Sequence, residues 1–339
     1  LPLAHMTTAD ATSPPRNVRA SGASRPGVVR RVNQDAFFVG EVAGRTLLVV
    51  ADGIGGHKTG EVASRLAIET LCDALARSRA QPPVALARAA ARANQTVFAS
   101  ASRDAEHHGM GTTLTAAWID GDVALLAHVG DSRTYLARGD TLRQVSEDHS
   151  WVAARVREGL LSEAEAREHR WRNVITNALG ASDAFRLDVT HVPLEAGDRL
   201  LLVSDGVTSV LSDEHLLELA AGHEPQDVTE RILDTADERG SPDNVTAVVA
   251  IVDATVEGRR RYLLPDAREV RPLDVRPSAS ELRVVEAWYP RRGVVRRAAR
   301  RAFAWVQDAW RSPRERTLLA FGMGSLILLG LLVTFAIMR

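Results

Sequence analysis

Aspartates stand at the ends of short hydrophobic runs in this chain, and they are the residues best placed to do chemistry. Asp35 directly precedes residues 36–39 (AFFV), and Asp52 directly follows residues 46–51 (TLLVVA). The pair Ala-Gly at 43–44 lies midway between these two aspartates. An antiparallel hairpin centred on that pair would bring both carboxylates to the same open end.

Three more aspartates occur in the same setting: Asp131 after residues 123–129, Asp205 after residues 199–203, and Asp243 before residues 245–252. Any one of them alone would be explained as a turn or helix-capping residue. Carboxylates gathered within a few ångströms, however, repel each other unless they are protonated or bind cations. Oxygen ligands without Cys, and without His at ligand spacing, suit magnesium or manganese better than zinc. The joint placement therefore indicates a metal site.

The elements that must position these residues follow from hydrophobic periodicity and turn signals. The pattern predicts strands over residues 36–39, 46–51, 112–118, 123–129, 199–203 and 245–252. It predicts helices over about 60–78, 83–102, 150–158, 163–168, 213–221 and 226–239. Strands that come in adjacent pairs favour antiparallel sheets covered by helices, an α+β fold, over a doubly wound parallel sheet.

Charge divides the chain into two parts. The 339 residues have a net charge of −1, but residues 259–316 contain 16 Arg and 7 acidic residues, or +9. The remainder therefore carries −10. We expect an acidic folded body followed by a basic segment. The single cysteine, Cys72, excludes an internal disulfide and fits a reducing compartment.

The C-terminal part has the pattern of a membrane anchor. Residues 317–338 form a run of 22 residues without charge, long enough to cross about 30 Å of hydrocarbon as a transmembrane helix. Arginines precede this run and only Arg339 follows it, so the positive-inside rule predicts a single-pass protein of the cell membrane with the preceding residues in the cytoplasm. Residues 294–316 are predicted as a basic amphipathic juxtamembrane segment that contacts membrane lipids, like the anchor after it.

The other boundaries follow from composition. Residues 1–16 are predicted as a flexible tail, 17–257 as the folded domain, and the Pro-containing 258–293 as a linker.

Eight motifs occur in order along the folded domain: residues 30–35 (RRVNQD), 50–57 (VADGIGGH), 109–113 (GMGTT), 129–133 (VGDSR), 147–150 (EDHS), 173–180 (NVITNALG), 204–206 (SDG) and 241–246 (SPDNVT). Together they resemble the metal-dependent protein phosphatase family, also called protein phosphatase 2C, in its bacterial branch. The resemblance runs from about residue 18 to residue 252. It implies a four-layer α-β-β-α sandwich with two antiparallel sheets and a binuclear metal centre at one end.

The resemblance also implies ligands for the metals. Asp35, Asp52, Asp205 and Asp243 would hold two Mn²⁺ or Mg²⁺ ions, directly or through water. The backbone carbonyl of Gly53 would complete one of the two sites.

Two further roles are implied by the matching motifs. Asp131, together with Asp205, would bind a third and weaker metal. Arg30 would hold the substrate phosphate, a role that suits arginine because its planar fork can donate two hydrogen bonds to phosphate oxygens. Ile54 stands where animal members have a histidine proposed as general acid, so the resemblance assigns no proton donor.

The implied activity is hydrolysis of phosphoserine and phosphothreonine in proteins by a metal-activated water. The expected partners are phosphorylated proteins, among them Ser/Thr kinases at the membrane and the substrates of those kinases. One alternative is a phosphopeptide-binding protein without turnover, which would not need to retain the full set of carboxylates. Another is a phosphatase dedicated to one regulatory protein, although no sensor domain is evident.

Nucleic acid is a further candidate partner, because residues 291–301 are rich in arginine. The position of these residues beside the predicted transmembrane run favours lipid headgroups. No nucleic-acid partner is therefore expected.

Overall fold

The computed structural model describes residues 17–55, 59–103, 105–222 and 224–254, together with the backbone of 281–284. The predicted tail, juxtamembrane segment and transmembrane run (1–16, 294–316 and 317–338) lie outside the described residues. Within the described part of the chain, no helix combines the length and hydropathy needed to cross a membrane.

Thirteen strands occur among the described residues. They are β1 (Val18–Arg25), β2 (Ala36–Val42), β3 (Arg45–Ala51), β4 (Gly53–Ile54), β5 (Gly111–Thr112), β6 (Leu114–Asp120), β7 (Val123–Val129), β8 (Arg133–Arg138), β9 (Thr141–Gln144), β10 (Arg186–Pro193), β11 (Arg199–Val203), β12 (Val245–Val252) and β13 (Glu281–Val284). One sheet has six strands in the order β13-β10-β7-β6-β3-β2, a second has five in the order β1-β12-β11-β8-β9, and β4 pairs with β5.

Seven α-helices accompany these strands in the described ranges. They are α1 (Thr59–Arg77), α2 (Pro82–Arg103), α3 (Trp151–Arg157), α4 (Glu163–Glu168), α5 (Asp205–Thr208), α6 (Asp213–Ala220) and α7 (Pro225–Glu238). A single 3₁₀ turn, Ala105–His107, follows α2. The six helices predicted from periodicity are confirmed, with ends that differ by at most one residue, and only the four-residue α5 is additional.

Alternating side chains along the strands build the layers. In β3, Leu47 and Val49 pack with α1 and α2, whereas Leu48 faces the space between the two large sheets. In β11, Leu202 faces that same space, and Leu201 packs with α6 and α7. Because successive side chains of a strand point to opposite faces, this alternation produces four layers in the order helix, sheet, sheet, helix.

The predicted α+β fold with two antiparallel sheets is therefore confirmed, with one addition at the edge of the six-stranded sheet. Strand β13 lies within the range predicted as linker, and it pairs in parallel with β10. Without this partner, β10 would present an unpaired sheet edge.

The hairpin of β2 and β3 has the register that symmetry about residues 43–44 predicted. Val42 pairs with Arg45 at the turn, and Ala36 pairs with Ala51 at the open end. Ala43 and Gly44 both have positive φ, 51° and 73°, the conformation of the two-residue turn whose twist matches the flanking strands.

Candidate metal centre

The open end of this hairpin holds two carboxylates. Asp35 precedes Ala36 and Asp52 follows Ala51, the two residues that pair in the register. Asp35 is buried, and Thr246 Oγ1 donates a hydrogen bond to its Oδ2 at 2.5 Å. Since Thr246 belongs to β12, this bond connects the two large sheets at the site.

The five-stranded sheet contributes Asp205 and Asp243 at the same end. Asp205 is the first residue of α5, directly after β11, and Asp243 lies two residues before β12. The Asp205 carboxylate interacts electrostatically with those of Asp35 and Asp52, and Asp243 interacts with Asp205. The structure therefore brings the four predicted metal ligands, two from each sheet, into one cluster.

Asp131 joins this cluster from the turn between β7 and β8. Gly130, before it, has a φ of +110°, and a Cβ there would lie 2.5 Å from Thr113 Cγ2, so the turn requires glycine. Asp131 is buried, and its carboxylate interacts with that of Asp205.

Gly53 is fixed beside Asp52 by close contact with the first turn of α1. A Cβ on Gly53 would lie 2.2 Å from the backbone oxygen of Gly60 and 2.5 Å from that of Gln34. A side chain at Gly53 would therefore separate the segment that carries Asp52 from α1.

Burial and mutual repulsion raise the pKa values of these carboxyl groups. Burial raises the pKa of Asp35 to about 7, and the charge of Asp205 adds to the effect. Burial followed by the charges of Asp35 and Asp205 raises the pKa of Asp52 well above its usual range. Burial and neighbouring carboxylates likewise raise the pKa values of Asp131 and Asp205. Full ionisation of the cluster near neutral pH therefore needs a positive counter-charge.

Arg30 supplies one positive charge at the edge of the cluster. Its Nη2 donates a hydrogen bond to Asp243 Oδ2 at 2.8 Å, and its guanidinium also interacts with Asp52 and Asp205. The hydrogen bond to Asp243 is the main cause that raises the pKa of Arg30. Half of the side chain is exposed, so a ligand can reach it from solvent.

The residues of the cluster fit divalent cations. The buried oxygens Asp35 Oδ1, Asp131 Oδ1 and Asp205 Oδ1 have no hydrogen-bond partner within the described residues, whereas nearly all buried polar atoms in proteins have one. The donors are all carboxylate or carbonyl oxygens, as Mg²⁺ and Mn²⁺ prefer. Among the described residues, no group of three or more His, Cys, Asp or Glu side chains is arranged so that it could hold a metal ion as it stands. The fit therefore rests on the contacts, the unpaired oxygens and the donor chemistry.

Asn244 holds the loop that carries Arg30, a role that sequence reasoning missed. Its Nδ2 donates hydrogen bonds to the carbonyls of Pro26 and Val32 at 3.1 and 3.0 Å. Its Oδ1 accepts one from the Gln34 N–H at 2.8 Å. The motif at residues 241–246 contained the residue that could have indicated this role, because Asn244 directly follows the proposed ligand Asp243.

Two threonines of the motif at residues 109–113 hold the backbone of Asp52. The Asp52 N–H donates to Thr113 Oγ1 at 2.8 Å. Thr112 Oγ1 and the Thr113 N–H donate to the Asp52 carbonyl at 2.9 and 2.8 Å. The motif was recognised as similar to one of the family, but its residue types alone did not reveal that its threonines hold the backbone of Asp52.

His149 links the turn at Asp131 to the motif at residues 173–180. The His149 Nδ1 lies 3.2 Å from the Gly130 N–H nitrogen and 2.6 Å from Asn177 Nδ2. Both of those groups are donors, so Nδ1 accepts, and the neutral ring carries its proton on Nε2, 3.2 Å from Asp188 Oδ2.

Comparisons with known proteins agree with this geometry. The protein phosphatase 2C family model matches residues 28–249. The serine/threonine protein phosphatase PstP of Mycobacterium tuberculosis is 34% identical over 323 residues, which cover 95% of this chain and 62% of PstP. The serine/threonine phosphatase stp of Listeria monocytogenes is 33% identical over 240 residues, which cover 69% of this chain and 95% of stp.

A solved structure shares the fold. The catalytic domain of PstP in complex with two manganese ions superimposes with a TM-score of 0.63 at 36% identity, covering 70% of this chain and 98% of that domain. The chain spans about 62% of the length of full PstP. The family match over most of the folded domain, together with the near-complete coverage of the Listeria phosphatase, shows that this chain belongs to the protein phosphatase 2C family.

Proposed function

We propose that this chain is a metal-dependent protein serine/threonine phosphatase that hydrolyses phosphoserine and phosphothreonine. The observation that carries the proposal is the cluster of five carboxylates from two sheets, with three unpaired buried oxygens and Arg30 at its edge. A protein that only bound phosphopeptides would have no need to bury so many carboxyl groups of raised pKa.

The proposed cofactors are two Mn²⁺ or Mg²⁺ ions. Asp35, Asp52, Asp205 and Asp243 would hold them, with the Gly53 carbonyl. When bound, the two ions supply a water of lowered pKa and positive charge for the phosphate oxygens.

A third and weaker metal site is proposed at Asp131 and Asp205. The interaction between these two carboxylates supports it.

Arg30 is the proposed phosphate-binding residue. Asp243 holds one nitrogen of its guanidinium, which fixes the orientation of the planar group while other N–H donors remain for phosphate oxygens. Donors that are already oriented stabilise the charge that spreads over those oxygens in the transition state.

Replacement of Asp205 tests the proposal directly. We expect the parent protein to hydrolyse p-nitrophenyl phosphate and a phosphothreonine peptide only with Mn²⁺ or Mg²⁺. Asp205→Ala should lower kcat by about a thousandfold or more, because it removes a ligand shared by two sites. Asp140→Asn, at the exposed turn between β8 and β9, is the control and should keep the parent rate. Near-normal turnover by Asp205→Ala in saturating Mn²⁺ would refute the assignment.

We further propose that the phosphatase opposes bacterial Ser/Thr kinases at the cytoplasmic face of the membrane, where residues 317–338 anchor it and 294–316 contact lipid. The uncharged run and its flanking arginines support this topology. The match to PstP covers 95% of this chain, so it extends well beyond the folded domain.

Truncation tests the anchor. We expect the full chain in the membrane fraction of cells and a chain ending at residue 293 in the soluble fraction, with equal aryl phosphatase activity per molecule. A truncated protein that stayed in the membrane fraction would contradict the proposed anchor.

A further inference from the structure

Exposed large hydrophobic side chains are concentrated in two stretches of the described residues. Seven such side chains are exposed: Val28, Val29, Val32, Phe37, Leu160, Trp171 and Val174. Four of them lie within residues 28–37, around Arg30. Single exposed apolar residues are normal on a protein surface, but a concentration of them marks a binding surface.

The loop of residues 26–32, here called the Arg30 loop, is firmly attached to the metal centre. Gly27 has a φ of +70°, and a Cβ there would lie 2.0 Å from the Asp243 backbone oxygen. The Val28 N–H donates a hydrogen bond to the Ser241 carbonyl at 3.3 Å. Asn244 holds both ends of the loop through its Nδ2. The exposed side chains of this loop therefore stand on a backbone with a fixed position relative to the carboxylates.

Val28 and Val29 are the most exposed apolar side chains of the loop, at 58% and 66%. Their backbone is already hydrogen-bonded or directly joined to residues of the site, so their exposure is not a consequence of a loose loop. They immediately precede Arg30, whose guanidinium is held 2.8 Å from Asp243. Consecutive Cα atoms are about 3.8 Å apart. Asp243 both binds the guanidinium of Arg30 and lies against Gly27, the residue before Val28. A phosphoamino acid that is bound at Arg30 would therefore have its neighbouring residues within reach of the valine segment.

We propose that Val28 and Val29 select substrates in which an apolar residue directly flanks the phosphoserine or phosphothreonine. This inference rests on the proposed phosphatase function and names a substrate class for the same site. The occupant is an extended segment of a phosphorylated protein. Its phosphate pairs with Arg30, and its apolar neighbour covers the two valines and removes their surface from water.

Paired phosphopeptides test this selection. Each pair carries Leu or Asn, which are close in size, directly before or directly after the phosphothreonine. We expect the parent protein to have a kcat/KM about three- to tenfold higher for the Leu peptide in at least one pair, because partial burial of one side chain on an open surface contributes modestly. In the double variant Val28→Thr/Val29→Thr this ratio should fall towards one. Threonine keeps the β-branched shape of valine, so the loop conformation is retained.

The ratio of the kcat/KM values for the two peptides of a pair does not depend on the fraction of active enzyme. Mn²⁺-dependent hydrolysis of p-nitrophenyl phosphate measures separately whether the metal centre is active. Val84→Thr, at a half-buried valine near the start of α2, is the matched control and should keep the parent ratio.

A parent protein without preference in either pair, or a double variant that keeps the preference, overturns the inference while leaving the phosphatase function intact. Absence of any metal-dependent hydrolysis overturns both. If the double variant instead dissociates a dimer or releases the protein from vesicles with an unchanged ratio, the valines contact a second copy or lipid, and the inference is wrong.

Discussion

At the scale of single residues, the metal centre combines side chains that destabilise one another. Asp52 is buried, and burial raises the pKa of its carboxyl group. The nearby charges of Asp35, Asp205 and Asp131 raise this pKa further. Polar groups with raised pKa values and unpaired oxygens reduce the stability of the metal-free fold, and such arrangements are typical of functional sites. Binding of cations offsets this cost, since the ions stabilise only the folded form.

Asp52→Asn separates these two effects. In EDTA, the neutral amide removes repulsion with Asp35 and Asp205, so we expect the Tm to rise by a few degrees relative to the parent. In Mn²⁺, the parent should gain stability and the variant should lose most of that gain, because a proposed ligand is missing. Thermal unfolding with and without Mn²⁺ measures both, with Asp140→Asn as the exposed control. A variant that is less stable in EDTA and still shows the full Mn²⁺ shift would contradict the ligand role.

At the scale of elements, the metal centre could be predicted wherever hydrophobic patterning was strong. The Asp35–Asp52 proximity followed from hairpin symmetry, which the register bears out. The meeting of the two sheets could not be derived in this way, because nothing local in the sequence fixes how one sheet stacks on another; only the family resemblance implied it.

Six of the described strands were not predicted: β1, β4, β8, β9, β10 and β13. For β10 the physical reason is clear. Strand β10 buries Asp188, Thr190 and His191, so its polar residues conceal a buried strand. Asp188 is compensated by Arg186 and His149. Arg186 is only two residues away, but His149 is 39 residues away in the chain. A partner at that distance cannot be recognised from a short window of sequence. The hydrogen bonds of Asn244 escaped prediction for the same reason.

The attachment of the Arg30 loop by Asn244 has a kinetic consequence. Arg30→Ala should lower kcat/KM for p-nitrophenyl phosphate by about a hundredfold, and Asn244→Ala by about ten- to a hundredfold, because it releases the loop. If Asn244 acts through Arg30, the double variant should lose little more than Arg30→Ala alone. Losses that multiply would instead show independent roles.

Asn94→Ala is the matched control for this cycle. Asn94 is also buried and also makes three hydrogen bonds, to the carbonyls of Ser182 and Asp183 and from the Gly180 N–H. None of these three hydrogen bonds involves the Arg30 loop, so the effect of Asn94→Ala should combine with that of Arg30→Ala additively.

At the scale of the whole molecule, the body and the C-terminal segment have opposite charge. Residues 259–316 carry +9 and the rest of the chain carries −10, a division that agrees with the proposed contact of the basic segment with anionic lipid. The stability of the folded domain also depends on pH through its interior, because the six-stranded sheet buries ionisable groups. His128 in β7 and Asp188 in β10 are both buried and are paired in the strand register.

His128 makes the stability of the whole domain sensitive to acid. Burial, followed by the proximity of His149, lowers the pKa of His128 to about 4, although Asp148 and Asp188 act in the opposite direction. The folded form therefore binds fewer protons than the unfolded chain between about pH 6.5 and pH 4. The contribution of His128 to the free energy of unfolding is complete above the unfolded pKa and is lost as the pH falls towards the folded value.

The test compares His128→Gln, which keeps a polar side chain near Thr115 but does not titrate, with the parent protein. Denaturant unfolding in EDTA at about pH 7 and about pH 5 should show that the free energy of unfolding of the parent falls by up to about 2 kcal/mol more than that of the variant over this interval.

Asp35, whose pKa is raised to about 7, contributes to the free energy of unfolding with the opposite sign in the same pH range. That contribution is common to both proteins and cancels in the difference. His108→Gln, at an exposed histidine, is the control and should follow the parent. If the parent and His128→Gln lose equal free energy of unfolding between the two pH values, other groups take up the protons, and the acid sensitivity does not originate at His128 in β7.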